Sequence, residues 1–163
     1  KDWPDTLTYS NQLYSYIGET DTKLPNALAQ YFYVDKATYP NGFNLTDLRI
    51  QGQNGQDPVI EIYDGSRSIS TASLIQKVNY GFWAYNYPIT LKEQIHFAPG
   101  SSFWVVAKFP AGAKNPLGTG KTTRTDVAQY SFYSSDNGTT WTQLSQVLKG
   151  TSFEFLLQSL LIL

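Results

Sequence analysis

Residues Ser134 to Trp141 read SSDNGTTW, and this stretch decides the fold class. It carries the parts of a tight β-turn. Asp136 can fold its carboxylate back onto backbone N–H groups, Asn137-Gly138 can supply positive φ, and Thr140 and Trp141 resume an extended strand. Working outward, Asp126 to Ser134 leads into the turn and Thr140 to Leu144 leads out. Further upstream, Ser102 to Phe109 (SFWVVAKF) sets Phe103, Val105, Ala107 and Phe109 on one face and Lys108 on the other, the two-residue period of a strand.

The same period recurs along the chain. Ala29 to Asp35 is aromatic and β-rich, and Asn44 to Gln51 spaces Leu48 and Ile50 as a strand does. Pro58 to Tyr63 alternates Ile60 and Ile62 against Glu61 and Tyr63, then breaks at Asp64-Gly65. Ser73 to Tyr80, Phe82 to Leu91, Gln94 to Phe97 and Phe153 to Leu163 complete the series. The best helical candidate, Asn26 to Gln30, is too short to count. Pro110 to Thr125, rich in Pro, Gly, Lys and Thr, reads as an exposed loop joining two strands. About nine strands with turns at this spacing predict an all-β protein, a single jelly-roll-like antiparallel β-sandwich over residues 1–163. The terminal FLLQSLLIL reads as a last core strand that stops abruptly, as in a domain cut from a longer polypeptide.

Composition narrows the function classes. Across 163 residues, 12 basic and 13 acidic side chains leave a net charge of −1, with no basic stripe for nucleic acid and no polybasic membrane patch. Cysteine is absent, which excludes disulfides, thiolate zinc sites and cysteine nucleophiles. The apolar C-terminal run is far short of the ~20 residues of a spanning helix, so no membrane insertion is expected. Aromatic side chains reach 15% while charged ones stay at 15%, a balance expected of secreted bacterial β-modules and of sugar-binding faces.

The chemistry-bearing candidates are few. NPLGTGKTT, Asn115 to Thr123, approaches a phosphate loop, but Asn115 stands where the first glycine belongs and the following TRTDVAQYSFYS reads as strand, not helix. No nucleotide is expected. His96, the single histidine, sits between Ile95 and Phe97 on a strand, and no Gly-x-Ser-x-Gly turn accompanies it. The carboxylates Asp35, Asp47, Asp57, Glu61, Asp64, Asp126, Asp136 and Glu154 are scattered, and no pair stands out as acid and nucleophile. No cofactor is expected; for calcium, Asp57 and Asp64 are the candidate loop ligands. NYGFWAYNYP, Asn79 to Pro88, places Trp83, Tyr85 and Tyr87 on one side of a strand. Core burial is the commoner fate of such rings, and a stacking platform for sugar or peptide is the alternative.

The spacing of Ser134, Asp136, Gly138, Thr140 and Trp141 resembles the Asp-box, a hairpin motif of secreted and cell-surface β-proteins in which the Asp pins the turn and the Trp packs beneath it. A longer order also holds. Pro88-Ile89-Thr90-Leu91 is followed by Pro99-Gly100, then Trp104 to Phe109, then Tyr133 to Trp141, with DPVIEIYDG upstream. This resembles the β-sandwich modules beside catalytic domains of secreted bacterial peptidases, notably the subtilisin-like ones of Bacteroidetes, and in bacterial surface proteins. The resemblance implies a non-catalytic accessory module, secreted or at the cell surface, with its parent catalytic domain as partner in cis. A free-standing carbohydrate-binding or adhesin domain acting through the aromatic strand is the second expectation, and a glycosidase-like enzyme the third.

Overall fold

The computed structural model describes residues 5–7, 13–17, 21, 23–50, 58–65, 68–79, 88–112, 117–121, 130–147, 153–155 and 157–161. The chain is all β. Its strands are β1 (Asp5–Leu7), β2 (Leu13–Ile17), β3 (Asn26–Tyr33), β4 (Phe43–Ile50), β5 (Val59–Asp64), β6 (Leu74–Asn79), β7 (Pro88–Phe97), β8 (Ser102–Phe109), β9 (Leu117–Lys121), β10 (Ser131–Ser134), β11 (Thr142–Gln143), β12 (Phe153–Phe155) and β13 (Leu157–Leu161). Among the described residues, a 3-10 turn at Ile69–Thr71 and an α-helical turn at Leu144–Val147 interrupt them. No helix among the described residues is long and apolar enough to cross a membrane.

All strand pairs among the described residues are antiparallel. A four-stranded sheet, β1-β13-β4-β7, packs against a six-stranded one, β11-β10-β3-β8-β5-β6, and β12-β9-β2 form a separate three-stranded sheet. The sandwich follows from alternation. On β8, Phe103, Val105, Ala107 and Phe109 point inward and meet Leu28 and Phe32 of β3, Ile60 and Ile62 of β5, and Phe43, Leu45, Leu48, Ile89 and Phe97 of the opposing sheet. Phe103 sits at the centre, its ring 4.1 Å from Phe97, 5.5 Å from Phe32 and 6.2 Å from Phe43.

Some segments depart from the sequence reading. Asn26 to Gln30, set aside as too short for a helix, opens β3, and the strand is buried on both faces: Leu28 enters the inter-sheet core while Ala27 and Ala29 line the outer side. Leu117 to Lys121, expected in an exposed loop, is the middle strand of the three-stranded sheet, its backbone paired with β2 and β12. Long-range pairing here overrides a composition that favours loops. Residues 82–87 of the expected strand Phe82–Leu91 lie outside the described residues, and its remainder meets Gln94–Phe97 in one strand, β7. A register shift leaves Leu45 opposite Ile95 but Asp47 opposite Thr90, so the intervening β7 residues bulge away from the ladder. Gln76 of β6 reaches across to that bulge. Its Oε1 accepts from the Lys92 N–H at 2.9 Å and its Nε2 donates to the Glu93 carbonyl at 3.1 Å, fastening the two sheets at one edge.

The inner layer also holds polar groups. Tyr133 donates to Asn26 Oδ1 and Ser131 to Gln30 Oε1, each at 2.7 Å, which ties β10 to β3 from inside the core. Gln30 Nε2 is the one buried side-chain polar atom without a partner among the described residues.

Candidate functional site

The outer face of the six-stranded sheet carries a second apolar layer. Ala29 and Tyr31 of β3 and Trp104 and Val106 of β8 form its floor, with Ile69 above and Tyr63, Ala72, Tyr130, Phe132 and Trp141 packed around it. Tyr31 meets the Trp104 ring edge-on at 5.1 Å, and Phe132 lies 5.7 Å from Trp104. Two walls rise from this floor, the Ile69–Thr71 turn with its flank on one side and the Ser134–Trp141 hairpin on the other.

The hairpin is built by side-chain capture of its own backbone. Asn137 and Gly138 have φ of 59° and 91°, the positive pair of a type I′ turn, and Thr139 N–H returns to the Asp136 carbonyl at 3.3 Å. Ser134 Oγ accepts from the Asp136 and Gly138 N–H groups and donates to Asp136 Oδ1 at 2.7 Å. Thr140 donates from its backbone to Oδ1 at 2.9 Å and from its hydroxyl to Oδ2 at 2.6 Å. These bonds, the Thr140 hydroxyl foremost, then its backbone N–H and Ser134, hold the Asp136 carboxyl at about 2, below the usual carboxylate range. Asp136→Ala should therefore lower the melting temperature, and a melt unchanged by the substitution would contradict this account of the turn. The pH dependence has a fixed sign. A depressed carboxylate pKa contributes stability above the ordinary Asp value, and that contribution fades as pH falls from about 4 toward 2. The Asp136→Ala variant should lack that part of the acid-side loss.

Between the walls sits a charged pair that the residue pattern alone did not single out. Glu61 of β5 and Lys108 of β8 point outward, and Lys108 Nζ lies 3.0 Å from Glu61 Oε1. The Tyr63 hydroxyl donates to the same oxygen at 2.6 Å. Burial, then the hydrogen bond to Glu61 and its negative charge, push the Tyr63 phenol above its ordinary value, so it stays a donor. The Glu61 side chain is 8% exposed and that of Lys108 22%. On one side of Lys108 opens a hollow of about 470 Å³ lined by Pro25, Val59, Glu61, Lys77, Pro110 and Asn137. On the other lies one of about 220 Å³ lined by Tyr63, Ile69, Ala72, Val106, Gly138 and Trp141. Lys108 lines both.

The other sequence candidates fall elsewhere. Trp83, Tyr85, Tyr87 and Asp57 lie outside the described residues. Asp64 is exposed and accepts from the Ser73 N–H at 3.1 Å, closing the β5–β6 connection. No group of three or more His, Asp or Glu side chains able to hold a metal occurs among the described residues. His96 is exposed, with Nδ1 2.5 Å from Asn44 Oδ1. Gly118-Thr119-Gly120-Lys121 is extended strand, and its ladder pairs engage backbone that a phosphate cradle would need to turn toward a ligand. Trp141 is half-buried, beneath the turn and on the wall of the smaller hollow.

No protein-family model matches the sequence, and no curated protein matches it. The fold does match solved structures. One holds the cysteine protease and lectin-like domains of Cwp84, a surface-layer-associated protein of Clostridium difficile. It aligns with a TM-score of 0.55 at 10% identity, over 83% of this chain and 31% of that one. The second, a clostridial cysteine protease Cwp84 variant after propeptide cleavage, aligns with a TM-score of 0.64 at 10% identity, over 98% of this chain and 40% of that one. This chain thus spans less than half the length of either. At that identity the likeness is one of fold.

Proposed function

We infer that this chain is a non-catalytic binding or accessory module of a secreted or cell-surface protein, acting beside a peptidase domain in the same polypeptide. The observation that carries the reading is the overlay of nearly the whole chain, 98%, on 40% of a surface-associated protease. The chain is all β, so we assign the overlap to the lectin-like part of that protein. The subtilisin-like resemblance of about Pro88 to Leu163 suggests a serine peptidase as one parent and the Cwp84 likeness a cysteine peptidase as another. Both support reading this all-β chain as a module beside a catalytic domain. Bacterial export fits a chain that folds without cysteine.

The groove supports binding rather than turnover. Glycosidic chemistry takes two carboxylates flanking the bond, whereas Glu61 is the one carboxylate among the described residues lining either hollow, and it is tied to a cation and a phenol. As a second reading, a self-standing carbohydrate-binding or adhesin domain draws support from the same groove, and the Trp83, Tyr85 and Tyr87 strand remains its alternative surface.

Sequencing the full gene and removing this segment from its product tests the first reading. A catalytic domain should share the reading frame. Its turnover of a short soluble peptide should survive the deletion, while retention on the cell envelope falls. A gene that encodes these residues alone, or a deletion that abolishes turnover in a folded enzyme, contradicts the accessory role.

A further inference from the structure

We propose that the groove divided by Lys108 is a recognition site for a neutral saccharide, with two neighbouring ring hydroxyls held between Glu61 and Lys108 and an apolar ring face laid against Trp141. This rests on the reading of the chain as a binding module and names its ligand.

The hydrogen-bonding valences of the charged pair set the polarity of its ligand. An ammonium has three donors, and Glu61 takes one of Lys108's. Glu61 receives both Lys108 and the Tyr63 hydroxyl on Oε1, so the acceptor capacity of Oε2 remains. Among the described residues, the remaining Lys108 donors and Glu61 Oε2 are therefore unengaged, and they stand side by side at the centre of the groove. A hydroxyl both donates and accepts, so two adjacent hydroxyls satisfy both groups at once. A ligand carboxylate would meet Lys108 but be repelled by Glu61, and a ligand ammonium would meet Glu61 but be repelled by Lys108. The pair's charges cancel, and Lys77, exposed on the rim of the larger hollow, is screened by solvent, so the centre of the groove favours a polar but uncharged partner.

The adjoining smaller hollow supplies the other half of a sugar's surface. Trp141, Ile69 and Ala72 offer apolar wall there, directly beyond Lys108. The hairpin fixes this geometry in advance. A Cβ on Gly138 would stand 3.2 Å from Trp141 Cζ2 and 3.3 Å from Lys108 Cε, so the glycine lets the turn close onto both side chains. The Tyr63 phenol braces the carboxylate at the same oxygen that Lys108 meets. Pre-ordered groups lose little freedom on binding.

An extended peptide fits less well. Peptides that add to sheets pair with a free edge, whereas β5 and β8 are interior strands, paired on both sides by β6, β8, β5 and β3. The groove presents side chains and no open backbone ladder.

Calorimetric and NMR titration of the 163-residue chain with the methyl glycosides of glucose, galactose and mannose, and with methyl glucuronide, tests the proposal. At least one neutral glycoside should saturate with a Kd on the order of millimolar. That Kd should change less than about twofold between low and high salt, because no net charge is exchanged. Glu61→Gln should weaken binding about tenfold, equivalent to the loss of one charge-assisted hydrogen bond. Ala72→Leu fills the apolar hollow, leaves the charged pair intact, and should weaken binding as well; it decides the matter alone if Glu61→Gln fails to fold. Saturable binding indifferent to both substitutions overturns the proposal, as does a salt-sensitive preference for the glucuronide. Binding of capped tripeptides but of no glycoside overturns the saccharide assignment and leaves the module reading intact. Binding of neither class overturns both the assignment and the binding role.

Discussion

Phe103→Ala is expected to destabilise the protein by about 3–5 kcal/mol, the range for emptying a fully buried aromatic site. Phe103 is 0% exposed and stacks with Phe97 from the opposing sheet at 4.1 Å and with Phe32 from the neighbouring strand at 5.5 Å. The rings that surround it sit on β3, β4 and β7, which are tied into two different sheets, so they cannot collapse into the void without shifting a ladder. Incomplete relaxation keeps the cost at the upper end of the range. Urea unfolding followed by tryptophan fluorescence checks it. A loss below about 1 kcal/mol would mean that the site refills, and would contradict the rigid two-layer core.

Lys108→Met should cost roughly 2–4 kcal/mol by leaving the buried Glu61 carboxylate without its cation. Lys108 keeps 22% exposure, so water reaches the pair and holds the loss below that of a fully dry ion pair. Most of this is the penalty of an uncompensated charge rather than the worth of the contact. The double substitution Lys108→Met with Glu61→Gln should therefore recover most of the loss, since a neutral amide still accepts from the Tyr63 hydroxyl. A single variant as stable as the parent, or a double variant no better than the single, would show that Glu61 is solvated and the groove is not a desolvated site.

Local periodicity carried much of the architecture. The alternation in SFWVVAKF separates Phe103, Val105, Ala107 and Phe109 from Lys108, and PVIEIY separates Ile60 and Ile62 from Glu61 and Tyr63, because side chains on a strand alternate whatever the strand pairs with. The site was not legible in the same way. Glu61 and Lys108 meet only through the β5–β8 register, which sets Val59 opposite Lys108 and Glu61 opposite Val106 across more than 40 residues of intervening chain. No local pattern encodes such a pairing. The Ser134–Trp141 turn could be read from its residues since every bond in it spans four positions or fewer. Its position as the wall of a groove could not, because that depends on where the outer face of β8 lies. Gly118 to Lys121 misled through composition, for its strand exists by virtue of β2 and β12 on either side.

The chain has four tryptophans, Trp3, Trp83, Trp104 and Trp141, and each gives its own indole N–H resonance. Following those four signals in a 15N-labelled sample during titration with neutral glycosides tests most directly where this module binds. The groove account predicts that the Trp141 indole moves in a saturable way together with the backbone amides of Asn137 and Gly138, while the Trp83 and fully buried Trp104 signals hold still. Movement of Trp83 with Trp141 unchanged would place the ligand on the aromatic strand and contradict the account.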